Sequence, residues 1–258
     1  LQDLATAAAA VISGATAGGT VPTKAQLEAL GITGVTDANL SAIQAAIAAT
    51  PDDGTGVDTL AELQAVATAG ATNAANAAAT AAALSTIAAA AQANDASNTN
   101  VAASVFATAG VTGVDSTNVA AIQSALNSAA VVGTSVDTLG EVQAVVDAYK
   151  AILAEANDTA NTAGNDTADA NPASNPTAAQ YAAIGVTGVD SNVKASLLGD
   201  VVDSKPFSAV DTVPELQALA DAAAAVMTAA AGTTRGNGPT RAQLEALGIT
   251  GVTDANLQ

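Results

Sequence analysis

The chain has no cysteine, no histidine and no tryptophan. Disulfide staples, thiol chemistry and the usual zinc sites are thereby excluded. Only four residues are aromatic, Phe106, Tyr149, Tyr181 and Phe207. Such a composition argues against a β-sandwich, where aromatic and β-branched residues dominate. Bases are scarce as well: 6 against 24 acids, a net charge of −18. That balance repels nucleic acid and anionic membrane and keeps an extended chain soluble and apart from its neighbours. Half of the 258 residues are hydrophobic, and most of those are alanine. Alanine buries little area, so a core of Ala, Val, Leu and Ile must be thin and tightly packed, which suits helices in close approach.

What the chain has in abundance is repetition. Residues 27–40 return unchanged at 244–257, and looser copies lie at 106–119 and 181–193. A first anchor, Gly-(Ile/Val)-Thr-Gly-Val, begins at Gly31, Gly110, Gly185 and Gly248, at intervals that shorten along the chain. A second, Val-Asp-Thr-x-x-Glu-x-Gln-Ala, begins at Val57, Val136 and Val210, each at a nearly fixed distance after its glycine. Length variation is thus confined to the stretch between one unit and the next. Residues 22–40 and 239–257 differ only at Lys24 against Arg241. The simplest account is a block of three unlike units, duplicated as a whole. Residues 1–13 match 216–228 in register, so the chain is expected to open within one unit and to stop within another, as a segment of something longer.

Each anchor reads as helix punctuation. Thr23 with Gln26, Thr177 with Gln180 and Thr240 with Gln243 are capping boxes that open a short helix A. Glycine at 31, 110, 185 and 248 closes it. Val35 before Thr36, and Val114 before Asp115, form hydrophobic staples with Leu40 and Val119. They open a helix B expected over 37–49 and 116–129. Thr59 with Glu62, Thr138 with Glu141 and Thr212 with Glu215 open helix C, with Pro214 tolerated in the first turn. The first helix C is expected to run to about residue 94, roughly 50 Å at 1.5 Å per residue, and the second to end near 161. Residues 157–176, rich in Asn, Asp, Thr, Ala and Pro, read as a flexible linker, with shorter versions at 94–98 and 231–238. Phe106 and Tyr181 stand where Leu27 and Leu244 stand, and are expected in the core.

The expected fold is therefore all-α: tandem three-helix bundles, short A, short B and long C, strung as an elongated array. The expected division is 1–21 as helix C of a preceding unit with its linker, then three units at 22–97, 98–176 and 177–238, then the start of another at 239–258.

Chemistry is sparse. Without His or Cys a catalytic site must come from carboxylates, Lys, Tyr, Ser and Thr, and most of the acids are used as helix caps. Asp52, Asp53 and Asp58 surround Gly54 and Gly56, but the calcium-loop spacing is missing and turn chemistry explains them better. Asn157-Asp158-Thr159 and Asn165-Asp166-Thr167 match the glycosylation pattern weakly. Lys24, Arg235 and Arg241 flank helix A and are expected to be solvated. The uncharged run 63–94 is too rich in Ala, Thr and Asn for a good membrane span. No catalytic, cofactor-binding or metal-binding residue is assigned, and no enzyme or cofactor is expected.

The helix ending in Gly-Val, the short second helix and the turn Val57-Asp58-Thr59 into a third resemble the albumin-binding-like (GA-type) three-helix modules of bacterial surface proteins. The resemblance covers about half of the chain. In that family the albumin contacts lie around the second helix and carry aromatic residues; helix B here carries none. The composition also resembles the repeat regions of giant bacterial adhesins and cell-surface matrix proteins. These resemblances imply a non-catalytic structural segment of a secreted, extracellular or cell-surface protein: an adhesin stalk, an extender, or a fibre or biofilm-matrix subunit. The alternative they imply is a multivalent protein-binding array. The partners expected are neighbouring repeats or further copies of the chain, and a host or matrix protein, with no nucleic acid and no membrane insertion of this segment.

Overall fold

A computed structural model describes residues 1–51, 53–93, 100–156, 175–232 and 238–257. The expected linkers at 94–98, 157–176 and 231–238 lie wholly or largely outside the described residues, as do Asp52, Arg235 and both glycosylation patterns. Among the described residues the fold is all helical, with no strand. In chain order the helices are α1 (Gln2–Ala15), α2 (Lys24–Ala29), α3 (Leu40–Ala48), α4 (Leu60–Ala93), α5 (Ala103–Thr108), α6 (Val119–Leu126), α7 (Leu139–Ala156), α8 (Ala178–Ala183), α9 (Asn192–Asp203), α10 (Val213–Ala230) and α11 (Arg241–Ala246).

The helix starts fall where the capping residues place them. Thr23, Thr177, Thr212 and Thr240 are N-caps whose hydroxyls accept from the backbone N–H three residues on, while the Gln or Glu there accepts in return. Thr59 and Glu62, and Thr138 and Glu141, make the same exchange. α5 follows Ala102, which has no capping side chain. Helices α2, α5, α8 and α11 each stop before a glycine at φ between +83° and +90°, a left-handed geometry that favours glycine.

Helix B needs a correction. The staples place its start at 37 and 116, but α3 and α6 begin at Leu40 and Val119. The intervening turn is held by an asparagine. Asn39 Oδ1 accepts from Thr36 N at 2.7 Å, and Asn39 Nδ2 donates to Gly34 O at 2.8 Å. Asn118 and Asn256 repeat both bonds. In the third copy Lys194 Nζ donates to Gly188 O instead, and pairs with Asp190. Asparagine thus fixes the turn before the helical ladder begins, which is why the helix starts three residues late.

The chain forms two compact units, Leu1–Ala81 and Ala82–Gln258. The first has a core of Val11, Ala15, Leu27, Ile32, Ile43, Ile47, Val57 and Leu63, drawn from α1 to α4. α1 packs against both α2 and α3. α3 and α4 cross at Gly70, where an added Cβ would lie 2.6 Å from Ile43 Cα and 2.9 Å from Ala42 O. An interior glycine costs a helix about 1 kcal/mol against alanine; here it permits a backbone approach that no other residue allows. In the second unit Tyr149 holds the equivalent position on α7 and is fully buried.

The second unit buries Phe106, Ile122, Leu126, Tyr149, Ile152, Tyr181, Leu198 and Leu216 in one core. Phe106 and Tyr181 are buried as Leu27 is, as their equivalence to leucine requires. α7 packs against α6 before it and against α8 and α9 after it; α10 packs against α6, α9 and α11. The long helix of one period therefore also serves the next.

Between its buried ends α4 is largely exposed from residue 72 to 82, a stretch of Ala, Asn and Thr. Alanine has the highest helix propensity, so a helix survives there with little tertiary packing. By length and composition Leu60–Ala91 would also pass as a membrane span, yet Leu63, Ala67, Ala83 and Ile87 along it are buried in the two protein cores.

Gly70→Ala is expected to destabilise the first unit by roughly 1–3 kcal/mol through overpacking. Gly140→Ala, on α7 where an added Cβ meets nothing, should be neutral or stabilising by up to about 1 kcal/mol. Urea unfolding followed by circular dichroism checks both.

Candidate functional site

The feature that recurs in both units is a clasp between the loop after helix A and the first turn of helix C. Thr33 N donates to Gln64 Oε1 at 2.9 Å, and Gln64 Nε2 donates back to Thr33 O at 3.3 Å. Gln143 does the same to Thr112 at 2.9 and 3.1 Å, and Gln217 to Thr187 at 2.8 and 3.1 Å. One side-chain amide satisfies both halves of a peptide group, as a neighbouring strand would. The glutamine is the eighth residue of the Val-Asp-Thr-x-x-Glu-x-Gln-Ala anchor. Its recurrence is plain in the sequence, but its partner, on the far side of helix B, is not.

A second tie fixes the segment entering helix A. Gln44 Nε2 donates to Pro22 O at 2.9 Å, and Gln123 Nε2 to Val101 O at 2.8 Å. In the third copy the direction reverses: Asn175 Nδ2 donates to Ser196 O at 3.2 Å and to Asp200 Oδ1 at 3.0 Å. Gly199 makes room for it, since a Cβ there would meet the Asn175 amide carbon at 2.6 Å.

The carboxylates are taken up locally. Asp53 accepts from Thr55 N and Thr55 Oγ1, which holds its carboxyl below the usual aspartate range. This is the turn expected around Gly54. Asp58 is raised, first by its hydrogen bond to Glu62, whereas Glu62 is lowered, first by the Thr59 hydroxyl. Glu141 is lowered by Thr138 in the same way. Asp211 is raised by burial, then by the Glu215 charge. Burial pushes the phenols of Tyr149 and Tyr181 far up; Tyr149 donates to Val210 O at 3.4 Å. Lys24 pairs with Asp37 at 3.2 Å and Arg241 with Glu245 at 2.8 Å, exposed pairs worth little. Among the described residues no group of three or more acidic side chains is placed to hold a metal.

The second unit also carries a groove of about 840 Å³ between the end of α6, the loop after α8 and the first turn of α10. Its polar groups include Gln123, Asn127, Ser128, Thr187, Thr212 and Gln217. No ionisable side chain lines it. The Ser124 hydroxyl accepts from Val213 N at 2.8 Å. Ser128 Oγ is buried without a partner among the described residues. The groove offers hydrogen bonds and apolar contact, and none of its own side chains is a base at neutral pH.

No protein family, no curated protein and no solved structure matches the chain.

Two outcomes test the clasp and the cap. Gln143→Ala should lower the stability of the second unit by about 0.5–1.5 kcal/mol and speed exchange of the Thr112 amide. Glu141 has a depressed folded value, so its contribution is complete above the ordinary glutamate value of 4.5 and is lost as pH falls through the folded value. Glu141→Gln keeps the box, as Gln26, Gln180 and Gln243 do, and removes the titration. Its urea midpoint should fall less than that of the unmodified chain between about pH 7 and about pH 3; equal falls would contradict the assignment.

Proposed function

We propose that the chain is a non-catalytic structural segment of a large secreted bacterial surface protein, an adhesin stalk, extender or extracellular matrix fibre subunit at the cell surface. The observation that carries this reading is the clasp. The same glutamine-to-threonine bond joins helix C to the preceding loop three times, 30 or 31 residues apart in sequence. A unit that reuses its joint while varying the length of one helix is built to be strung together. On this reading each A and B pair sits between two long helices, so the three-helix groups of an albumin-binding-like array share helix C. The acidic surface suits export and solubility. Titrating side chains taken up in caps and turns leave little for proton transfer.

A second reading has a specific observation behind it. The uncharged groove of the second unit, with the Ser128 hydroxyl unanswered, is a surface on which a host or matrix protein can be held, and repetition would turn weak single sites into avidity. Serum or matrix proteins retained at micromolar levels by the immobilised chain would favour it.

Small-angle scattering tests the extended reading. A compact globule of this length has a radius of gyration of about 18 Å. The expected value is well above that, and a value near it would overturn the array.

A further inference from the structure

We propose that the chain binds a second copy of itself head to tail, the first turn of α1 in one copy closing the clasp left open after α11 in the other. The proposal rests on the array reading and names the joint by which copies connect.

Residues 239–257 supply an internal control, because almost the same sequence stands at 22–40 in different surroundings. α10 packs on α11 as α1 packs on α2. Leu27 and Ile32 are 0 % and 3 % exposed, whereas Ile249, the counterpart of Ile32, is 44 % exposed and Leu244, the counterpart of Leu27, is only half-buried. What covers the first copy and not the second is α3 with the start of α4: Ile43, Ile47, Val57 and Leu63. Gln64 completes the joint at Thr33. Among the described residues nothing answers the Thr250 peptide group, which stands at the position of Thr33.

The matching half is on α1. In register with the second anchor, Leu1 stands at the position of Leu63, Val142 and Leu216, and Gln2 at that of Gln64, Gln143 and Gln217. Leu63, Val142 and Leu216 are buried; Leu1, Gln2 and Leu4 are all exposed. α7 and α10 each clasp the loop behind them with the first turn and pack on the following helix with later turns. α1 does only the forward half: Ala7, Val11 and Ala15 are buried, and α1 packs on α2 and α3. Placing Leu1 on Ile249 and Gln2 on Thr250 of another copy reproduces the arrangement of α7 and α10. The two faces differ, so the contact is heterologous, and repeated addition leaves it open to growth. No counterpart of α3 enters the joint, so part of the apolar face of α11 stays uncovered and the association is weaker than the joints within the chain.

Sedimentation of the full chain over a wide concentration range provides the test, with amide exchange at Thr250 as a local readout. The expected result is a mass that rises with concentration past the dimer, with Thr250 protected as it rises. Ile249→Asp and Gln2→Ala change exposed residues that leave the fold intact; each should weaken association, the first by about 10-fold or more. A chain that stays monomeric, or association indifferent to Ile249→Asp, overturns the proposal. Failure here with an extended scattering profile leaves the array reading standing, while a compact profile removes that reading.

Discussion

The structure depends on one polar contact, the glutamine that grips a threonine peptide group across the joint between helices. A core built from alanine, valine and leucine gains little area per residue and, with few large aromatic side chains, has few shapes to specify a register. Three short hydrogen bonds at each joint supply the missing specification. They tie a loop in left-handed glycine geometry to the first turn of a helix whose own start is fixed by a Thr-x-x-Glu box. Helix C begins, and is placed, within the same few residues.

This explains where variation is tolerated. The distance from the first anchor to the second hardly changes, because the clasp, the asparagine turn and the Gln44-type tie all act inside it. Beyond the clasp, helix C is constrained only by what it packs against. In the first unit that constraint lapses over 72–82, where alanine propensity alone sustains the helix. At equivalent points of helix C the side chain ranges from Gly70, where two backbones nearly touch, to Tyr149, a full aromatic ring in the core. The spacing between helices is thus set by one residue choice per period, while the polar joint stays the same.

Local physics makes much of the fold legible in the sequence. The threonine boxes, the stopping glycines and the buried equivalence of Leu27, Phe106 and Tyr181 each depend on residues within one or two turns. The start of helix B is misplaced by a staple reading because Asn39 and Asn118 hold a turn there by reaching back to a glycine carbonyl. The clasp is visible only as a recurrent glutamine, since its meaning lies in a threonine on the far side of a whole helix. The sharing of α7 and α10 between neighbouring helices is less legible still. Period analysis marks where a motif returns and is blind to which copy a helix leans on.

That sharing changes what a unit is. In an array of closed bundles each bundle would be complete, and its joints would be soft linkers. Here a helix with one face on the preceding loop and another on the following pair makes each joint part of a core. Stability is then a property of neighbours, as in a one-dimensional lattice whose interface terms rival the intrinsic terms of each repeat. A period without a neighbour on one side must expose what that neighbour would bury, and the half-exposed Ile249 beside the nearly identical but buried Ile32 displays that difference within a single molecule. The apolar surface so exposed is neither random nor featureless: it carries the Thr250 peptide in the geometry that Gln64, Gln143 and Gln217 recognise elsewhere. Selectivity for its own kind is therefore written into the same contact that holds the chain together.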